Sequence, residues 1–242
     1  MKRMLIFFTL IISLPLTLCF AETPQEPSPF QDYLADPSFV TFQKAYESYS
    51  TQLSENAEDN NSRLMLSYLY MLEMERMLGE FETRIDSLAP NIMFQYANLL
   101  LGIGKYEECI KIYEGLNIEY PDWSCPWRHK GEAYFKSDEL EQAEIALKRA
   151  IETRVEHYDA YVMLAEVQEE MGNYTDALAT LETGFSYKGK DIEDPDEEIT
   201  DLDVQFLYLR LLKVNKMQDE YEQQRMKLEN SVPEDTRLKD TQ

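Results

Sequence analysis

Between residues 90 and 191 the sequence holds one spacing through three successive copies, and that spacing sets what the chain can fold into. Ala97, Gly131 and Ala165 stand 34 apart, as do Met93, Trp127 and Tyr161 just before them. Cys109, Ala143 and Ala177 make a third column, and Tyr113, Leu147 and Leu181 a fourth. A 34-residue unit has room for two helices and a turn, but not for a core of its own. Copies must therefore stack and bury their apolar faces on one another. The product of such stacking is extended surface rather than a reaction centre.

Helical spacing and turn residues divide the repeated region into antiparallel pairs. The expected pairs are Asn91–Ile103 with Tyr106–Asn117, Cys125–Lys136 with Glu139–Thr153, and Tyr158–Met171 with Tyr174–Phe185. Gly104 and Gly172 fall between paired helices, where a residue with positive φ makes the turn, and Asp138 takes that place in the middle copy. Pro121 marks the boundary after the first pair.

The flanks read differently. Lys2 and Arg3 precede the apolar run Met4–Leu14, and Cys19-Phe20-Ala21 offers small residues for cleavage, so residues 1–21 have the plan of a secretory signal. Leu16-Thr17-Leu18-Cys19 also suggests lipid attachment at Cys19, but Leu18 is bulky for such a site. Residues 22–37, with four prolines, are expected to be an extended tether. Residues 38–89 should hold a first helix to Leu53, a polar loop Ser54–Ser62, a helix Arg63–Leu78 stopped by Gly79, and a short partner Phe81–Leu88. In residues 192–230 an acidic insertion leads to a closing pair, Leu202–Asn215 and Asp219–Asn230. Residues 231–242 should be a loose tail.

Charge narrows the function classes. The net charge of −23 disfavours nucleic acid, whose binding needs Lys and Arg to release counterions, and it disfavours anionic lipid surfaces. Two histidines, His129 and His157, have no converging ligand pattern, and no phosphate loop, nucleophile elbow or CxxC pair is present. No catalytic residue, metal ligand or cofactor is assigned. The acidic stretch 191–203 carries hard ligands for Ca²⁺ but lacks the alternation and central Gly of a calcium loop. Asn60-Asn61-Ser62 and Asn173-Tyr174-Thr175 match the glycosylation sequon, a short and common pattern. Cys109 stands in a column of alanines and is expected to be a small packing residue. Cys125 opens the next helix, too distant for a disulfide.

Trp127-x2-Lys130-Gly131-x2-Tyr134, followed by Ala143-x3-Leu147-x2-Ala150, resembles the tetratricopeptide repeat. The third copy resembles it through Tyr161, Leu164, Ala165, Gly172, Tyr174, Ala177 and Leu181, and the first through Tyr96, Ala97, Gly104, Tyr106, Cys109, Tyr113 and Pro121. Lys130 replaces the usual Leu, and Gln168 an aromatic. The resemblance implies an all-α, right-handed superhelical solenoid of about five helix pairs, degenerate pairs at its ends included. It further implies a concave groove lined by the first helix of each pair. Carried over residue by residue, the groove positions are Phe94, Gln95, Asn98 and Leu101, then Arg128, His129, Glu132 and Phe135, then Asp159, Val162, Met163 and Glu166.

The expected function is a non-catalytic scaffold or adaptor that binds a peptide or protein segment in that groove. Its expected location is exported, periplasmic or secreted, with no transmembrane span after signal removal. The process would be envelope assembly, secretion or cell-wall work. A second reading is a self-associating structural component, a homo-oligomer.

Overall fold

The computed structural model describes residues 27–189 and 201–238. The leader, Cys19, the first part of the tether and most of the acidic insertion lie outside the described residues. Among the described residues are eleven α-helices and two 3-10 turns, with no strand. The chain divides into two compact units, residues 1–83 and 84–242.

The first unit contains α1 (Pro29–Ala35), α2 (Phe39–Glu55) and α3 (Asn60–Glu82). Residues 29–35 were expected to be extended, yet they are helical. Ser28 and Gln31 close a capping box on α1 with Pro29 at the first turn, where a missing N–H costs nothing. Tyr33 then anchors α1 in a core with Ala45, Tyr49 and Leu69, and its hydroxyl donates to Glu73 Oε2 at 2.9 Å. Burial and that carboxylate push the Tyr33 phenol up to about 12. Arg76 holds Glu73 on the other side, Nη2 to Oε1 at 2.6 Å.

The partner of α3 also differs from expectation. No helix covers Phe81–Leu88; α3 runs through Gly79 to Glu82, and only a 3-10 turn, Ile85–Ser87, follows. Its antiparallel partner is α2, which precedes it: Ser62 donates to Gln52 at 2.7 Å, and Phe42 and Tyr46 both meet Tyr70 at the far end. Glycine inside a helix costs about 1 kcal/mol against alanine, too little to end one whose next turn is held by other contacts.

The second unit stacks four helical hairpins: α4 (Pro90–Gly102) with α5 (Tyr106–Glu119), α6 (Ser124–Lys136) with α7 (Leu140–Thr153), α8 (Tyr158–Glu170) with α9 (Tyr174–Phe185), and α10 (Asp201–Val214) with α11 (Gln218–Ser231). Three of the four repeat columns point into it. Ala97 and Ala165, the triplet Cys109, Ala143 and Ala177, and the triplet Tyr113, Leu147 and Leu181 have almost no exposed surface. Gly131 lies so close to Leu147 that an added Cβ would stand 2.6 Å from its Cγ. Burial pushes the Cys109 thiol up to about 12, so it stays protonated and serves as packing, and Cys109 and Cys125 form no disulfide with each other.

One turn geometry recurs four times. Gly104, Asp138, Gly172 and Lys216 all have positive φ. The amide after each donates back across the helix end: Lys105 to Leu100, Glu139 to Tyr134, Asn173 to Gln168 and Met217 to Leu212, at 2.8 to 3.0 Å. The fourth turn comes 44 residues after the third instead of 34. The hairpin α10–α11 is therefore a full repeat displaced by an insertion.

The two departures from the repeat pattern have local accounts. The ammonium of Lys130 lies 4.3 Å over the Trp127 ring, which replaces the missing leucine contact with a cation–π one. The buried amide of Gln168 accepts from Thr180 Oγ1 at 2.8 Å. The tail is not loose throughout. Thr236–Leu238 forms a 3-10 turn, with Leu238 buried in the core of the last hairpins.

Candidate functional site: the inner face of the stacked hairpins

The first helices of successive hairpins meet directly: α4 touches α6, α6 touches α8, and α8 touches α10, besides the second helix that separates each pair in sequence. These four helices thus form one inner wall, and the candidate groove residues all lie on three of them.

The structure gathers these residues into three groups. In the first, the Phe94 ring centroid lies 4.9 Å from Trp123 and 5.1 Å from His129, and Tyr113 donates to Asn98 Oδ1 at 2.7 Å. The second is ionic. Arg128 donates to Glu132 Oε2 at 2.8 Å and lies 3.6 Å from Asp159, and Lys136 reaches Glu132 Oε1 at 2.7 Å. Arg128 is 2% exposed. Its Nη1 also meets His129 Nδ1 at 3.2 Å. The same ring nitrogen lies 3.6 Å from Glu132 Oε2. In the third group Phe135 packs on the cluster that holds Met163.

Other candidates stand apart. Gln95 is exposed, Leu101 is buried, and Val162 is wholly enclosed in the core with Leu181 and Leu207. On these helices Gln95 is exposed and Asn98, Phe135 and Glu166 are half-buried, whereas Val162 and Arg128 are enclosed.

His157, the other histidine, is fully buried with its Nδ1 2.9 Å from the Ser124 hydroxyl, a structural contact between repeats. No group of three or more His, Cys, Asp or Glu with metal-holding geometry occurs among the described residues.

Displaced repeat numbering adds inner-wall residues that sequence spacing missed. Adding 44 to Asp159, Val162, Glu166 and Glu169 gives Asp203, Phe206, Arg210 and Lys213 on α10. Arg210 grips Glu169 with both fork nitrogens, at 3.0 and 2.8 Å. The signal available in the sequence was Lys216, but a lysine does not advertise positive φ as glycine does.

Two carboxyl groups on this wall are perturbed in opposite directions. Burial pushes Glu166 up from 4.5 to about 7; Arg210 opposes this, while Glu169, Asp203 and Glu132 add to it. Burial would also raise Glu132, but contacts from His129, Lys136 and Arg128 outweigh it and hold the group down to about 2. The consequences for stability follow by linkage. The raised Glu166 contributes stability that is full below pH 4.5 and is lost as pH rises through 7. The depressed Glu132 contributes stability that is full above pH 4.5 and is lost as pH falls toward 2. Between pH 5 and 8, urea midpoints of the wild type should therefore fall. Glu166→Gln should remove most of that slope and stabilise the chain at pH 8, by on the order of 1–2 kcal/mol after discounting for partial exposure. An unchanged slope in the variant would exclude Glu166 as its source.

The profile of the tetratricopeptide repeat matches residues 134–194. Four hairpins with one turn geometry and directly touching first helices are its architecture. Residues 134–194 match that repeat, and the chain has the fold of tetratricopeptide-repeat structures. PilF of Pseudomonas aeruginosa superposes with a TM-score of 0.55 at 16% identity, over 88% of this chain and 94% of PilF. PilW, described as a widely conserved type IV pilus biogenesis factor, gives 0.56 at 16% identity, over 88% and 95%. YrrB, described as a tetratricopeptide-repeat protein with an unusual peptide-binding site, gives 0.50 at 16% identity, over 78% and 76%. At such identities the likeness is one of fold. No curated protein matches the chain in sequence.

Proposed function

We propose that this protein is a non-catalytic scaffold that binds a peptide or protein segment along the inner wall of its second unit, at the bacterial envelope. The observation that carries the reading is the direct contact between successive first helices. An exposed Gln95, half-buried Asn98 and Phe135, and charges of both signs on these helices support the reading, because such a mixture suits an extended polypeptide. YrrB, with its described peptide-binding site, supports the binding mode. The signal-like leader and the likeness to PilW support the location. Within the described residues no helix is long and apolar enough to cross a membrane. The outer face of the closing helix α11 is strongly polar, which favours an adaptor over self-stacking.

A photoreactive residue at Gln95 or Phe135 in cells tests the reading. Both inner positions should capture one and the same partner, while Ile145, which is 67% exposed on α7, captures nothing. Capture from Ile145 alone would move the binding face to the second helices.

A further inference from the structure

One position of the inner wall recurs in every hairpin of the second unit: Asn98, Glu132, Glu166 and, after the displacement, Arg210. Three of these four side chains are engaged. Asn98 accepts from Tyr113, Glu132 is held between Arg128 and Lys136, and Arg210 has both fork nitrogens on Glu169. Glu166 is half-buried, yet it makes no hydrogen bond or ion pair with any described residue.

The charged groups that reach Glu166 are Glu132 from α6, Glu169 from its own helix, and Asp203 and Arg210 from α10. His129 on α6 stands against Glu132. Arg210 opposes the three carboxylates, but its fork is committed to Glu169. Asp203 is taken by Arg237, whose guanidinium also lies 4.0 Å over the Phe206 ring. Among the described residues, every other buried or half-buried carboxylate on these first helices has a cation within 3.6 Å: Glu132, Asp159 and Glu169. Burial without such a partner is costly for a carboxylate, and Glu166 alone on this wall bears that cost.

We propose that Glu166 is the seat of a basic side chain, lysine or arginine, carried by the polypeptide that lies along the inner wall. The assignment rests on the wall being the binding face and adds the chemistry of what binds there. Phe135, half-buried on α6 and packed on the cluster of Met163, Leu164 and Val167, offers an apolar surface one helix away. Packed helices stand about 8–10 Å apart, or about three residues of extended chain, so an apolar residue at that spacing from the basic one reaches it. A bound cation favours the ionised carboxylate, so binding tightens as pH rises through 7.

The probe is a fluorescein-labelled peptide, Ser-Leu-Ser-Ser-Lys-Ser-Ser-Leu-Ser, titrated into the full chain at pH 8. Its leucines flank the lysine at that spacing in both directions. Saturable binding is expected, weakened at least tenfold by Glu166→Gln and equally by norleucine in place of the peptide's lysine. Binding to the wild type should weaken several-fold at pH 6, and binding to the variant should not change. The substitution keeps the side chain's size and should leave the helical circular dichroism unaltered. Binding indifferent to Glu166→Gln or to norleucine, or no binding at all, overturns the proposal. Loss with Phe135→Ala but not with Glu166→Gln also overturns it, while leaving the wall as the binding face. Tenfold tighter binding on Lys190→Gln or Lys239→Gln would show that the chain's own lysine takes the seat, which overturns it as well. Photocrosslinking from Gln95 and Phe135 reports on the wall independently of Glu166, so failure of the seat and failure of the wall are told apart.

Discussion

Replacing Arg128 by alanine should lower the stability of the second unit by about 3–5 kcal/mol, because the substitution strands buried carboxylates without their cation. Arg128 is almost wholly enclosed, and both Glu132 and Asp159 are nearly as buried. Lys136 would still hold Glu132, yet it reaches only the other carboxylate oxygen. Trp123 and Trp127, the two tryptophans of the chain, flank this network, so tryptophan fluorescence during urea denaturation reports it directly. The double variant Arg128→Ala, Asp159→Ala should be less damaged than the sum of the single variants, since the second change removes one stranded charge. A loss below about 1 kcal/mol for Arg128→Ala would put the network in solvent, where ion pairs contribute little.

Gly131→Val carries the second large effect, about 3 kcal/mol or more of destabilisation through overpacking. A Cβ at 131 would lie 2.6 Å from Leu147 Cγ and 2.9 Å from its Cδ2, and Leu147 is fully buried with nowhere to go. Helix propensity acts the other way, since replacing a helical glycine by alanine gains up to about 1 kcal/mol. Gly115→Ala on α5 isolates that gain, because no heavy atom lies within 4 Å of a Cβ built there. The contrast decides the cause. If Gly131→Val and Gly115→Ala shift the denaturation midpoint alike, close approach of α6 and α7 does not govern position 131.

Gly131 belongs to a column of the 34-residue spacing and Arg128 to the groove positions implied by the resemblance, and together they show how far those two readings reach. The columns through Ala97, Cys109 and Tyr113 were legible because small and large residues alternate at fixed distance, and burial then follows from stacking. The fourth hairpin was visible as a helix pair but not as a copy in register. Its turn uses Lys216, and the displacement of ten residues hides the columns. Its inner-wall residues, Asp203, Phe206, Arg210 and Lys213, were consequently missed. The candidate groove list drawn from the first helices placed every residue on the inner wall's helices. It did not separate Gln95, which is exposed, from Val162, which is enclosed, because adjacent repeats cover part of every helix face.

Composition and spacing alone determined the class of this protein: helical, repetitive, acidic, and built to present surface. Those properties depend on local periodicity, which each segment carries in its own residues. Only the tertiary structure decided that residues 29–35 coil rather than extend, that α3 pairs with the helix before it, and that Arg237 sits on Phe206. The Ser28–Gln31 capping box that starts the first helix is local, but Tyr33 on Glu73 and Asp203 on Arg237 are partners distant in sequence. Contacts of that kind leave no period behind them, so nothing short of the folded chain reveals them.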